Sequence, residues 1–108
     1  MTKICTDIEQ SKKLIELGID VNTADMFWLT TDKSRLHILV EDLEKYSRWD
    51  CMPAWSLSAL LNLLPIVNLI KLDNGTWTCI SNGCRCDAND PINACTEMIQ
   101  YLVTKKLI

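Results

Sequence analysis

A leucine-rich segment between two prolines, Pro53 and Pro65, constrains the fold of this chain more than any other stretch. Ser56 is a favourable residue for capping the amino end of a helix, and Pro65 disfavours helical geometry at Leu64, so a short helix is predicted between them. A helix of that length is unstable alone, and its leucines cover most of its surface. We therefore expect it to be largely buried, with the other elements packed around it.

The residue before this helix, Trp55, is predicted to fix how the chain enters it. A large apolar residue just before the cap often packs against the side chain on the far side of the first helical turn, which here is Leu60. This arrangement gives Trp55 a place in the core. Trp77 is given a core place too, because it lies on the apolar face of a predicted hairpin.

Two amphipathic helices are predicted near the ends of the chain. Thr6 and Glu9 have the spacing of a capping box, and Gly18 stands where a left-handed residue ends a helix, so we expect a helix from Asp7 to Leu17. Near the other end, Asp90 is the predicted cap of a second helix, with a proline at its first position. The stripe of that helix that should face the core consists of Ile92, Cys95, Met98, Ile99, Leu102 and Val103.

One hairpin is predicted around Asn74-Gly75, which separates the strand-like runs Ile66 to Leu72 and Thr76 to Ser81. Asn-Gly favours a two-residue type I′ turn, because both central residues of that turn need a positive φ. The segment Asn82 to Asn89 is expected to be a loop. The turn would set two pairs on one face of the sheet, Leu72 opposite Trp77 and Ile70 opposite Cys79.

A second hairpin is predicted earlier in the chain. Met26 to Thr30 is rich in strand-forming residues, and Arg35 to Val40 can pair back onto it. The alternative for the second run is a helix, because apolar residues recur at helical spacing from Leu36 to Tyr46. We favour the hairpin, with a short helical turn over Glu41 to Arg48. The expected fold is thus one α+β domain over residues 1–108, with an antiparallel sheet from two hairpins and helices on one face.

The chain shows no sign of export or of membrane insertion. Its first residues carry no apolar stretch with a small-residue cleavage site. The longest apolar run, Leu57 to Ile70, is interrupted by Asn62, Pro65 and Asn68 and is too short to span a bilayer. We therefore expect a cytoplasmic protein that does not associate with a membrane.

Six cysteines are many for a chain of 108 residues. Free thiols are expected in the cytoplasm, and three disulfides are the alternative for a secreted protein. Cys79 and Cys84 are at the upper limit of the C-x₂₋₄-C spacing of zinc sites, Cys84 and Cys86 fall below it, and Cys95 lacks a close partner. We therefore expect neither a metal nor a cofactor. The two other cysteines are Cys5 and Cys51.

The sequence offers little support for catalysis or for nucleic-acid binding. His37 is the single histidine, and nothing in the sequence places it beside a cysteine as the base of a nucleophilic pair. The glycine-rich fingerprints of nucleotide sites are absent from the sequence. The net charge of −3 has the wrong sign for generic nucleic-acid binding. We expect a protein that is not an enzyme, with nucleic acid as a disfavoured partner.

Three groups of residues together form a pattern that spans the chain: Thr6 to Leu14 with Gly18 and Thr23 to Met26, then Pro53 to Leu61, and finally Asp90 to Cys95 with Glu97 to Ile99. This pattern resembles an uncharacterised family of small proteins from gut bacteria of the Bacteroides kind, often carried on prophages and mobile elements. The resemblance covers about a third of the chain, and the stretch from Thr31 to Met52 matches nothing in it. It implies a small intracellular protein of mobile-element origin and supplies no reaction.

The aromatic residues without a core place give the one indication of a partner. Trp28, Tyr46 and Trp49 lie in or beside the segment that fits neither a clean helix nor a clean strand. They could complete a small core, or they could anchor another chain. The favoured function is a non-enzymatic mobile-element accessory protein that binds an unidentified protein or a second copy of itself through these rings. The alternative is a small regulator associated with nucleic acid.

Overall fold

Helices and antiparallel strands together give the chain an α+β fold, as predicted. The computed structural model describes residues 3–29, 36–39 and 51–108. Their elements, in chain order, are α1 (Ile8–Glu16), a 3-10 turn (Val21–Thr23), β1 (Met26–Leu29), β2 (Leu36–Leu39), β3 (Cys51–Ala54), α2 (Leu57–Leu63), β4 (Val67–Lys71), β5 (Trp77–Ser81), β6 (Cys84–Ala88) and α3 (Pro91–Thr104).

The first hairpin pairs as expected, and the sheet it belongs to is larger than expected. β1 and β2 are antiparallel, with Met26 opposite Leu39. β3 adds to the other side of β1, with Pro53 opposite Phe27. A proline is tolerated there because β3 is the edge strand of this sheet, whereas a proline inside a short run argues against a strand when only the sequence is read. The expectation of one sheet from two hairpins is therefore replaced, within the described residues, by two three-stranded sheets.

The second sheet has the order β4-β5-β6, and its last strand corrects the prediction of a loop from Asn82 to Asn89. Asn82 and Gly83 form the two-residue turn between β5 and β6, with φ values of 52° and 76°. Both central residues of a type I′ turn need this left-handed conformation, which asparagine and glycine adopt most readily. Asn-Gly at this position was therefore the stronger of the two hairpin signals.

The predicted register of the β4–β5 hairpin is wrong by one residue. Gly75 has the expected positive φ, at 88°, but the loop has three residues, because the Leu72 N–H donates to the Thr76 carbonyl at 2.8 Å. Lys71 therefore lies opposite Trp77, and Leu69 lies opposite Cys79. Trp77 and Cys79 of β5 still face the core. The three-residue loop changes only which residues of β4 lie opposite them.

Both ends of α1 are formed by the kinds of cap that were predicted, but the residue that caps its amino end is different. Asp7, not Thr6, caps the helix: its carboxylate accepts from the Gln10 N–H at 2.7 Å, and the Gln10 side chain accepts from the Asp7 N–H at 3.0 Å. At the other end, Gly18 has a φ of 91°, and the Ile19 N–H donates to the Leu14 carbonyl at 3.1 Å. That bond is the signature of a Schellman motif, which ends α1 at the glycine that the sequence predicts.

The predicted helices α2 and α3 begin where expected. The Ser56 hydroxyl accepts from the Ala59 N–H at 3.2 Å, and α2 ends at the residue before Leu64. The Asp90 carboxylate accepts from the Asn93 N–H at 2.8 Å, with Pro91 first in α3. α3 packs on β5, β6 and α2. The core between them includes Leu14, Trp55, Leu60, Cys79, Ile92, Cys95, Met98, Ile99 and Leu102.

The amino-terminal segment is hydrogen-bonded to parts of the chain that are distant in sequence. The Thr6 N–H donates to the Trp55 carbonyl at 2.9 Å, and the Thr6 hydroxyl accepts from the Trp55 N–H at 3.1 Å. The Lys3 ammonium donates to the Asn93 side chain at 2.8 Å, and the Gln10 amide donates to the same oxygen at 2.6 Å. The first residues thus join the start of α2 to the start of α3.

Replacing Ser56 with alanine is expected to lower the free energy of unfolding by about 0.5–2 kcal/mol, because α2 loses its cap. Ser58→Ala is the matched control: Ser58 is exposed in the same helix, and its replacement should change stability by less than about 0.5 kcal/mol. Urea denaturation of both variants measures the difference. Equal midpoints for the two would show that Ser56 contributes nothing as a cap.

Candidate functional site

The carboxyl ends of all three helices surround one pocket of about 280 Å³, here called the helix-end pocket. Asp20 and Thr23 supply its polar groups, and the loop after α1 forms one side of it. Its apolar walls come from Leu17, Ile19, Leu63, Val103 and Ile108. The pocket is open to solvent on one side and can therefore admit a group from outside.

Local turn chemistry holds the polar side of the helix-end pocket in place. The left-handed Gly18 reverses the chain after α1 and brings Asp20 to the pocket. The Asp20 carboxylate accepts from the Asn22 N–H at 2.9 Å, which starts the 3-10 turn. The Thr23 hydroxyl donates to the Asp20 carbonyl at 2.6 Å and accepts from the Trp55 indole N–H at 2.9 Å. A buried core tryptophan thus orients the pocket's hydroxyl.

The lining of the helix-end pocket contains sources of negative charge. Carbonyl groups at the carboxyl end of a helix carry partial negative charge, and α1 and α3 both end here. The carboxylate of Asp20 adds a full negative charge to the lining. Two exposed lysines, Lys105 and Lys106, follow α3, and the Lys105 ammonium lies 5.8 Å from the centre of the Tyr101 ring. The pocket itself is lined by no cation among the described residues.

The structure places one of the three aromatic residues predicted to contact a partner. Trp28 is half-buried on β1, and its indole N–H donates to the Thr6 carbonyl at 2.7 Å. Tyr46 and Trp49 lie outside the described residues. Contact of these three rings with another chain stays a prediction.

Asp25 is a functionally suggestive residue that the sequence did not single out. Its carboxylate accepts from the Ser56 N–H at 2.8 Å and also from the Ser56 hydroxyl. A carboxylate on a serine hydroxyl invites a catalytic interpretation, but the same hydroxyl caps α2 through Ala59. Asp25 therefore positions a helix cap, and no spacing pattern links it to Ser56, since the two lie 31 residues apart.

The cysteines of the second sheet and α3 lie together. Cys79, Cys84 and Cys86 are on the face of the sheet that packs on α3, and Cys95 is on the facing side of that helix. None of these four cysteines is in a disulfide bond. No group of three metal-binding side chains occurs among the residues that the structure describes.

The thiols in this cluster differ in acidity because of their neighbours. The Cys95 thiol donates a hydrogen bond to Cys79 and lowers the pKa of Cys79 against the effect of burial. The same bond, with burial, raises the pKa of Cys95. Burial raises the pKa of Cys86, and the nearby Glu97 adds to the rise. Cys79 is therefore the more readily ionised member of the buried pair.

No family model matches the chain, and comparisons with the curated proteins and with the solved structures found no match either. Within residues 3–29, 36–39 and 51–108, every helix is too short or too polar to cross a membrane. Function must therefore be inferred from the chain's own residues and their geometry.

Proposed function

We propose that this protein is a non-enzymatic accessory protein that acts by binding another protein, with one side chain of the partner seated in the helix-end pocket. Its volume of about 280 Å³ is the observation that carries the proposal. This pocket lies at the small end of the range of small-molecule sites, about 300–1,000 Å³, and is large enough for a single long side chain. Protein interfaces commonly depend on a few such anchors. The resemblance of three chain segments to a mobile-element family supports the accessory role.

The lining of the pocket indicates which side chain it receives. Leu17, Leu63 and Val103 offer apolar walls to an aliphatic stem. Asp20 and the carboxyl ends of α1 and α3 offer negative charge to a cationic head. Lysine combines such a stem and head in one flexible side chain. We therefore infer that the partner presents a lysine to this pocket.

The net charge of −3, and the engagement of several described cations within the chain, favour a protein partner over nucleic acid. Lys3 is paired with Asp7, and Arg85 with Asp87, at 3.1 and 3.0 Å. The ammonium of Lys71 lies 6.0 Å from the centre of the Trp77 ring, so it too has a partner within the chain. Cations engaged in this way are less available to neutralise phosphates, on which nucleic-acid affinity depends.

A peptide titration followed by amide NMR tests this function. Acetyl-Gly-Lys-Gly-amide should shift the signals of Gly18, Ile19 and Asp20, and it should bind about two- to fivefold more tightly than the same peptide with norleucine. Asp20→Asn should abolish that preference, since asparagine keeps the cap on the 3-10 turn and removes the charge. Asp73→Asn, in the exposed β4–β5 loop, is the matched control and should leave the preference intact.

Different results would exclude the cationic anchor, the pocket as its site, and a second copy of the chain as the partner. Equal binding of the lysine and norleucine peptides to the unmodified protein would exclude a cationic anchor. Shifts confined to residues outside the pocket would exclude the pocket as the binding site. Light scattering across a concentration series tests a second copy as the partner: a rise in mass that a lysine peptide does not reverse would count against the pocket as that contact.

A further inference from the structure

Four cysteines lie where the second sheet packs on α3, at depths from the partly exposed edge strand to the core, and are here called the thiol series. Cys84 and Cys86 are half-exposed and lie two residues apart on the inner face of β6. Cys86 lies directly opposite Cys79 of β5. Cys79 and Cys95 are both 0% exposed and lie in the same core cluster, where α3 packs on β5. Cys86 therefore lies between the solvent and the buried pair of Cys79 and Cys95.

The spacing within the thiol series is compatible with disulfide bonds at two places. Directly opposite residues of antiparallel strands have Cα atoms about 4.5–5.5 Å apart, within the range of disulfide-bonded cysteines. This applies to Cys79 and Cys86. Cys79 and Cys95 belong to one core cluster where α3 packs on β5, so rotation of their side chains can bring the two sulfurs together. Cys84 is out of line, since it lies opposite Ser81.

We propose that the thiol series is a redox modification site, in which hydrogen peroxide oxidises Cys86 and the oxidation passes inward to form a buried Cys79–Cys95 disulfide. The half-exposed position of Cys86 gives peroxide access that neither buried cysteine has. Its place opposite Cys79 makes Cys79 the residue that resolves the oxidised sulfur. Cys95 then completes the sequence from the opposite side.

The proposed reaction balances in three steps. The Cys86 thiolate attacks peroxide, forming a sulfenic acid and releasing hydroxide, which takes a proton to become water. The Cys79 thiolate attacks the Cys86 sulfur and displaces a second hydroxide, which also becomes water, leaving a Cys79–Cys86 disulfide. The Cys95 sulfur then attacks Cys79, and the departing Cys86 sulfur takes up the proton that Cys95 loses. Overall, one peroxide and two thiols give one disulfide and two waters.

The acidity of the thiols sets the speed of these steps. Burial raises the pKa of Cys86 and keeps its thiolate scarce, so the first step is slow and needs sustained oxidant. The hydrogen bond from Cys95 lowers the pKa of Cys79 and supplies the thiolate for the second step.

Peptide mapping of the full chain tests the proposal. The folded protein is treated with hydrogen peroxide, its remaining thiols are blocked with N-ethylmaleimide in denaturant, and it is digested with trypsin. Cleavage after Arg85 separates Cys79 from Cys95, so their disulfide links residues 72–85 to residues 86–105. Fragmentation of the linked peptides then assigns the bonded sulfurs. We expect a Cys79–Cys95 bond, with Cys84 and Cys86 recovered as blocked thiols.

Three variants test the route. Cys86→Ser should slow formation of the Cys79–Cys95 bond by about tenfold or more, because the exposed entry point is lost. Cys84→Ser is the matched control on the same strand face and should oxidise at the original rate. Cys95→Ser should stop the reaction at a Cys79–Cys86 bond. Circular dichroism of each variant confirms that the fold is kept before its rate is compared.

Two results would overturn the proposal. Mapping of the unmodified protein that finds Cys79 and Cys95 as thiols, with oxidation confined to Cys84 and Cys86, would show that no transfer to the core occurs. This measurement needs no variant and is independent of any effect of substitution on folding. Formation of the Cys79–Cys95 bond at the original rate in Cys86→Ser would show that oxidant reaches the pair without Cys86.

Discussion

Trp55→Ala is expected to lower the free energy of unfolding by about 3–5 kcal/mol, the largest loss from any single side chain named above. The ring is 0% exposed and lies in the core with Leu60 and the inner face of α3. Its indole N–H also donates to Thr23 at 2.9 Å. Truncation leaves a large cavity that a core of this size cannot refill by local collapse. Urea denaturation followed by circular dichroism measures the loss.

Trp55→Phe separates the two contributions of this ring. Phenylalanine keeps most of the buried apolar area and removes the hydrogen bond to Thr23, so a smaller loss of about 1–2 kcal/mol is expected. An unfolding midpoint of Trp55→Ala equal to that of the original protein would contradict the core assignment. If the same variant also failed to bind a partner, Trp55 would have to be a contact residue instead.

Leu60→Ala is expected to cost about 2–5 kcal/mol, because Leu60 is 0% exposed at the centre of the packing between α2 and α3. Leu61→Ala is the matched control. It makes the same chemical change at the next position of the same helix, where the side chain is only half-buried. Alanine favours helix at both positions, so helix propensity cancels in the comparison. The two denaturation curves give the difference directly.

Equal losses from the two leucine variants would be contrary to this packing. They would mean that α2 presents no preferred face to the core, and that its leucines contribute by covering the helix on all sides. The structure instead predicts that Leu60 dominates. The difference between the curves is informative even if both variants are marginally stable, since only their relative midpoints are needed.

Elements bounded by caps and turns could be predicted from the sequence because those signals are local. Ser56, Asp90 and Gly18 mark ends of α2, α3 and α1 through bonds to residues at most five positions away. Even these signals compete with close neighbours: Asp7 replaces Thr6 as the cap of α1 because the Thr6 hydroxyl is hydrogen-bonded to Ser11 and Trp55.

Two strands were not predicted, β6 and β3, and only β6 has a clear signal in the sequence. β6 was foreseeable, since Asn82-Gly83 precedes an alternation of inward cysteines with outward Arg85 and Asp87. Treating those cysteines as loop residues concealed that alternation. β3 was not foreseeable from local pattern, because its four residues include Pro53 and pair with β1 across a long separation in sequence.

The helix-end pocket could not be predicted from the sequence at all. Leu17, Leu63 and Val103 lie far apart along the chain, and each one reads as an ordinary apolar residue at the end of a helix. Only the packing of three helices with their carboxyl ends together creates a concave surface. The thiol series could be predicted in part. Its cysteines are evident in the sequence, but which of them lie next to each other depends on the register of β5 with β6.

The bonds of the amino-terminal segment bear on how the chain folds. Thr6 and Trp55 are 49 positions apart, and Lys3 and Asn93 are 90 positions apart. Contacts across such separations require most of the chain to be in place, so we expect them to form after the β4–β5–β6 meander and the helix packed on it. Weakening them should therefore accelerate unfolding much more than it slows folding. The first residues of the chain are thus expected to make their contacts late in folding and to slow the unfolding of the native state.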